Sequence, residues 1–161
     1  MAENTGLVFY APIISATLTL FNVIIGGLAL WVNNNAASNR EKRKEIRGRI
    51  DSMLKRVEEA EKSGINFHLE ESFRESEAQN IRWELEKLGK IIQTIPFLKI
   101  NSNINDSYNS FKQSITLVPN FSRKDFRQQS ADDSLVTTIH MKSADLIHEI
   151  ERAYDSKYPI K

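Results

Sequence analysis

The hydrophobic pattern of this chain changes character after residue 32. Residues 7–32 form an unbroken apolar run of 26 positions with no charge. A bilayer-spanning helix needs about 20 such residues. The run therefore predicts one N-terminal transmembrane helix behind a short tail, residues 1–6. A cleaved secretory signal would carry a basic start and a shorter apolar core. Here the start holds Glu3 and no Lys or Arg.

Beyond residue 32 the period becomes helical and amphipathic. Asn33, Asn34 and Asn35 mark the expected membrane exit. Residues 36–62 lack Pro and repeat apolar side chains at Ile46, Ile50, Met53, Val57 and Ala60 in a 4-3-4-3 rhythm, widened by Leu54. Ser63-Gly64 reads as the stop of this helix, with Gly as its C-cap signal. A second helix is expected over residues 69–95, with Phe73, Ile81, Leu85, Leu88, Ile92 and Ile95 on one face and Pro96 as its terminator. A third fits residues 101–118 through Ile104, Tyr108, Phe111, Ile115 and Val118. Its Asn and Ser content is poor for helix propensity, so burial has to hold it. A fourth opens at Ser130, with Asp133 three residues on as in a capping box. It carries Leu135, Ile139, Leu146, Ile150 and Tyr154.

No strand pattern competes. The expected fold is all-α: a single N-terminal transmembrane helix (7–32), a basic juxtamembrane or stalk helix (33–63), and residues 64–161 packing on that stalk. Together they make a cytoplasmic antiparallel bundle of about four helices.

Charge sets the expected orientation. The flank before the run has no Lys or Arg. The flank after it has Arg40, Lys42, Arg43, Lys44, Arg47 and Arg49. By the positive-inside rule the N-terminus lies outside and the C-terminal domain is cytoplasmic, at the inner (plasma) membrane. Tyr10 and Trp31 suit the two interfaces. The basic cluster is also suited to anionic headgroups, although a topology signal alone accounts for it. The whole chain has a net charge of only +1, so it is no bulk nucleic-acid binder.

The span is two-faced. Ser15, Thr19, Asn22, Gly26 and Ala29 recur at steps of 4, 3, 4 and 3, on one face of a helix. Small and hydroxyl residues let membrane helices approach closely. A central amide is costly against lipid. This stripe is therefore an expected contact with another copy of the chain or with a partner membrane protein. The alternative is that Ser and Thr bond to their own backbone and Asn22 is tolerated alone.

The chemistry is sparse. There is no Cys, hence no disulfide, thiolate zinc site or thiol nucleophile. Three His occur, at 68, 140 and 148, with no H-E-x-x-H motif. Asp145 and His148 have the i, i+3 spacing of carboxylate-bridged metals, but such sites need two of these pairs. His140 and His148 suit pH sensing or a plain surface position. Neither a phosphate-binding loop nor a nucleophile elbow appears. The Arg–His spacing of all-helical ribonucleases is absent too, because Arg127 stands too far before His140. No catalytic, cofactor-binding or metal residue is assigned, and no cofactor is expected.

One loop stands out. Phe121 and Phe126 alternate with Arg123, Lys124 and Arg127. Arg and aromatic residues together are enriched at protein contacts. The same mixture can stack on bases, although no nucleic-acid partner is expected. Alternatively the two Phe plug into the bundle. The sequence thus points to a non-enzymatic membrane-anchored interaction module that self-associates or binds a partner. A second reading, from a different class, is a pore- or leak-forming effector, such as a bacterial toxin or antiphage-defence effector, held inactive by its helical domain.

Overall fold

The computed structural model describes the backbone of residues 5–159 and side chains from Leu18 onward. Helices are the only regular elements among the described residues. They are α1 (Thr5–Leu69), α2 (Glu75–Thr94), the single turn α3 (Pro96–Lys99), α4 (Ser102–Thr116) and α5 (Ser134–Lys157), with a 3-10 turn at Pro119–Phe121. The chain divides into two compact units, Met1–Ile46 and Arg47–Lys161, so α1 contributes to both.

In the first unit, the described side chains from Leu18 to Val32 are exposed. Its large apolar residues are 51–73 % exposed, with Ile24 and Leu30 near the two limits. Among the described residues no helix is long and apolar enough to cross a membrane. The described part of the apolar run is 15 residues, short of the ~20 a span requires. Its other part, residues 7–17, including Tyr10 and Ser15, lies outside the described side chains. The three Asn at 33–35 do not interrupt the backbone, which stays helical through them.

The second unit is a four-helix bundle. Arg56 of α1 meets Glu84 of α2 at 3.7 Å. Tyr108 of α4 donates to the carbonyl of Leu85 in α2 at 2.7 Å, and Gln93 reaches Asn105 at 3.2 Å. α5 packs along α4. It returns antiparallel to α1, with Glu151 beside Arg47 at one end and His140 beside Glu61 toward the other. Chain order therefore gives an up-down-up-down arrangement. The core combines Ile50, Met53, Val57 and Phe67 of α1 with Leu85, Leu88 and Ile92 of α2, Ile104, Phe111 and Ile115 of α4, and Ile139, Leu146 and Ile150 of α5, all 2 % exposed or less. The 4-3 spacing read from the sequence is the spacing that lands on this core.

Several expected boundaries are corrected. Gly64 does not cap a helix, since α1 runs on to Leu69. A β-carbon at Gly64 would sit 2.9 Å from Ile115 Cδ1. The glycine is thus required by close approach of α1 to α4, not by a left-handed cap. α2 begins at Glu75, six residues later than expected, because residues 70–74 are needed to reverse the chain. Pro96 does end α2, with Ile95 extended before it. The same Pro then opens α3, where its missing N–H has no helical partner to lose. α4 is capped by Asn101, whose side chain accepts from the N–H groups of Asn103 (3.0 Å) and Ile104 (3.4 Å). Ser130 does not start the last helix. Asp133 is its N-cap, accepting from Leu135 N at 2.8 Å, and a carboxylate there also suits the helix dipole.

Gly89 offers a direct test of the packing. In a free helix, Gly→Ala gains about 0.5–1 kcal/mol. Here the added carbon would lie 2.6 Å from the Tyr108 hydroxyl and 2.8 Å from its Cζ. Overpacking of this kind costs about 1–3 kcal/mol. Gly89→Ala is expected to lower the thermal midpoint by several degrees. An unchanged or raised midpoint would show that α2 and α4 are not in this contact.

Candidate functional site

The chain's candidate residues fall in three places. Thr19, Asn22, Gly26 and Ala29 lie in the first unit and are exposed. A β-carbon on Gly26 would meet nothing within 4 Å, so close approach by another helix is sterically open there. Ser15 lies outside the described side chains.

The basic cluster is not uniform. In the first unit Arg40 turns back to the carbonyl of Ala36 at 3.3 Å, while Lys42 and Lys44 are exposed. Arg47, in the second unit, is committed to the bundle. Its two Nη atoms donate to both carboxylate oxygens of Glu151 at 2.6 and 2.9 Å. Its Nε lies 2.8 Å from Asp51, and its guanidinium sits 5.1 Å over the Tyr154 ring. The hydrogen bonds to Glu151 hold its pKa above the usual arginine value. Arg47 thus fixes α5 against α1 through a planar two-pronged pair that a lysine could not copy.

The third place is the loop after α4. Phe121 is buried and Phe126 half-buried. Their rings lie 4.9 and 5.5 Å from Phe67, and Phe126 is 5.8 Å from Phe73. Both rings pack into the bundle's end, Phe121 wholly and Phe126 in part. Arg123, Lys124 and Arg127 remain exposed.

Beneath this loop lies a polar network that the sequence did not announce. His68 is fully buried. Its Nε2 is 3.2 Å from the carbonyl of Ile115, which can only accept, so Nε2 carries the proton. Its Nδ1 then accepts from the Asn120 amide at 3.1 Å. Asn120 Oδ1 in turn accepts from Arg127 N–H. Burial lowers the His68 pKa, partly offset by the bond to Ile115. The loop also closes the end of α1. Gln129 N–H donates to His68 O at 2.8 Å and Gln128 Nε2 to Leu69 O at 3.0 Å, so two terminal carbonyls of the helix gain partners. The available signal was the α1 stripe itself, which continues at the same rhythm through Gly64 to Phe67 and brings His68 inward.

The other histidines are peripheral. His140 Nδ1 lies 2.6 Å from Glu61 Oε1 on α1, with the imidazole exposed. Asp145 pairs with Lys142 at 3.1 Å, and His148 is exposed. Among the described residues no group of three or more His, Asp or Glu could hold a metal ion. A half-open groove of about 310 Å³ runs between α1 and α2, lined by Ser63, Asn66, Phe67, Glu70, Glu77, Asn80, Ile81 and Glu84. Its acids are spoken for: Arg74 bridges Glu70 and Glu77, and Lys87 and Arg56 meet Glu84. No protein family, curated protein or solved structure matches this chain.

Proposed function

We propose that this chain is a non-enzymatic, single-pass membrane-anchored interaction module. Residues 7–32 span the inner (plasma) membrane with the N-terminus outside. The bundle stands on the cytoplasmic side, and the chain associates with copies of itself or with a partner protein. The observation that carries the reading is the apolar run whose described part exposes nearly all its large side chains. Such a surface has to be covered by lipid or by other apolar helices. The lysines and arginines that follow suit the cytoplasmic leaflet. Thr19, Asn22, Gly26 and Ala29, with Ser15, supply the small polar face by which helices in a bilayer meet.

The test is the mass of the full chain in detergent, measured by light scattering beside Asn22→Leu. A defined oligomer that the substitution dissolves is expected. A monomer in both samples would remove self-association and leave a separate membrane partner as the occupant of the stripe. Ion leakage from cells expressing the wild-type chain, lost in Asn22→Leu, would instead favour the pore-forming effector.

A further inference from the structure

Seven of the eight arginines of the second unit fall into two groups. Arg47, Arg56, Arg74 and Arg152 each reach a carboxylate. Arg82, Arg123 and Arg127, with Lys124, form no ion pair among the described residues. These four cations are not scattered. Arg82 of α2 places its guanidinium 5.1 Å over the Phe121 ring. Arg127 is tied through its backbone N–H to Asn120, the residue before Phe121. Arg123 and Lys124 lie in the turn that follows Phe121, closed by Asp125 N–H to Ser122 O at 3.1 Å. All four therefore lie around Phe121 at the end of the bundle where α1 stops; Asp125 is the one carboxylate between Phe121 and Gln129, and Asp132 and Asp133 follow just before α5. That end is about 33 Å along α1 from Arg47, at 1.5 Å per residue.

We propose that this end of the bundle is a docking surface for a carboxylate-rich protein segment, with Arg82, Arg123, Lys124 and Arg127 as its contacts. The proposal rests on the interaction-module reading and names the chemistry of one partner. Three observations favour an acidic peptide. Guanidinium groups that form no internal ion pair present planar forks that match carboxylates two-pronged. The loop is already fixed by Phe121, Phe126, Gln128 and Gln129, so little ordering is needed on binding. Phe121 is buried and Phe126 packs on Phe67 and Phe73, which leaves little of the stacking platform that single-stranded nucleic acid uses. The surface consists of Arg82 together with the loop cations; the aromatic half of the loop motif serves the core.

The experiment titrates the full chain, in nanodiscs of neutral lipid, with a fluorescein-labelled peptide of ten glutamates. Anisotropy is read at low and at high salt, beside an oligothymidylate of ten nucleotides and vesicles of phosphatidylglycerol. Peptide binding that salt weakens, and that weakens about tenfold or more in the Arg82→Gln, Arg123→Gln, Arg127→Gln triple variant, is expected. If the triple variant shifts the unfolding midpoint, Arg123→Gln with Lys124→Gln, both on the exposed turn, gives the same readout with the α2 contact intact. No peptide binding, or binding that these substitutions leave unchanged, overturns the proposal. Tighter binding of the oligonucleotide or the vesicles at this patch overturns its choice of partner. The oligomer test at Asn22 is independent, so failure of the membrane reading and failure of this surface are told apart.

Discussion

Phe67→Ala is expected to destabilise the bundle by about 3–5 kcal/mol, the range for emptying a buried aromatic site. Phe67 is 2 % exposed and its ring touches four others: His68 at 5.4 Å, Phe73 at 5.6 Å, Phe121 at 4.9 Å and Phe126 at 5.5 Å. These neighbours come from α1, the α1–α2 turn and the loop after α4, so no one of them can move into the space without leaving its own contacts. A domain of this size holds about 5–15 kcal/mol in total. The loss is therefore at least about a fifth of its stability. Denaturant unfolding of the full chain reads the midpoint, and hydrogen exchange reads the loop. Amides of residues 121–129 are expected to lose protection first, because Phe121 and Phe126 are that loop's apolar anchors. Trp83→Ala is the control. Trp83 is 68 % exposed, and a change within about 0.5 kcal/mol is expected there. Equal effects at the two positions would mean that the aromatic cluster does not hold the bundle end.

Much of this fold was legible because period and burial agree. The spacing marks Ile50, Met53, Val57 and Ala60, and they are buried, as are Ile81, Leu85, Leu88 and Ile92. What misled was punctuation. Gly64 carries two meanings, a cap or a close approach, and a single residue cannot choose between them. Only Ile115, 51 positions away, decides it. Pro96 ends the second helix as its ring predicts, and the same residue then opens α3. Ser130 and Asp133 are both good caps, and the one nearer the first buried apolar residue prevailed.

The candidate site was legible in part, for a related reason. The Phe–Arg alternation of the loop marked the right segment, but sequence alone cannot say which half faces outward. The loop's aromatic side turned in because Phe67 and Phe73 were there to receive it. Arg82 was hidden in a run of alternating charges on α2 that reads as a solvated, ion-paired face. Its neighbours Glu84 and Lys87 do pair, at 2.6 Å, whereas Arg82 is drawn aside by the face of Phe121. Cations near aromatic faces gain about 0.5–1 kcal/mol at exposed sites, comparable to a surface ion pair, so charge pattern alone cannot rank the two.

The His68–Asn120 pair gives the second large effect, and it has a sign as well as a size. Asn120→Ala removes the donor to His68 Nδ1 and the acceptor of Arg127 N–H together. Each orphaned group costs about 1–3 kcal/mol, so a loss of about 2–6 kcal/mol is expected at neutral pH. The wild-type chain should also weaken in acid. Burial keeps the folded His68 pKa below the ordinary 6.5 of the unfolded chain. Below pH 6.5 the unfolded chain takes up a proton that the folded one refuses, so stability is complete above 6.5. It then falls with pH by at most about 1.4 kcal/mol per unit, until the folded pKa is passed. In Asn120→Ala this slope should flatten, because protonated Nδ1 no longer faces an amide N–H₂. Asn120→Asp should reverse it. The carboxylate still accepts from Arg127 N–H but now favours the imidazolium, raising the folded pKa above 6.5. Stability from the pair would then be present in acid and lost as pH rises through that higher value. Unfolding midpoints from pH 5 to 8 for the three chains decide the matter. Parallel profiles would mean that the His68–Asn120 pair does not carry the pH dependence.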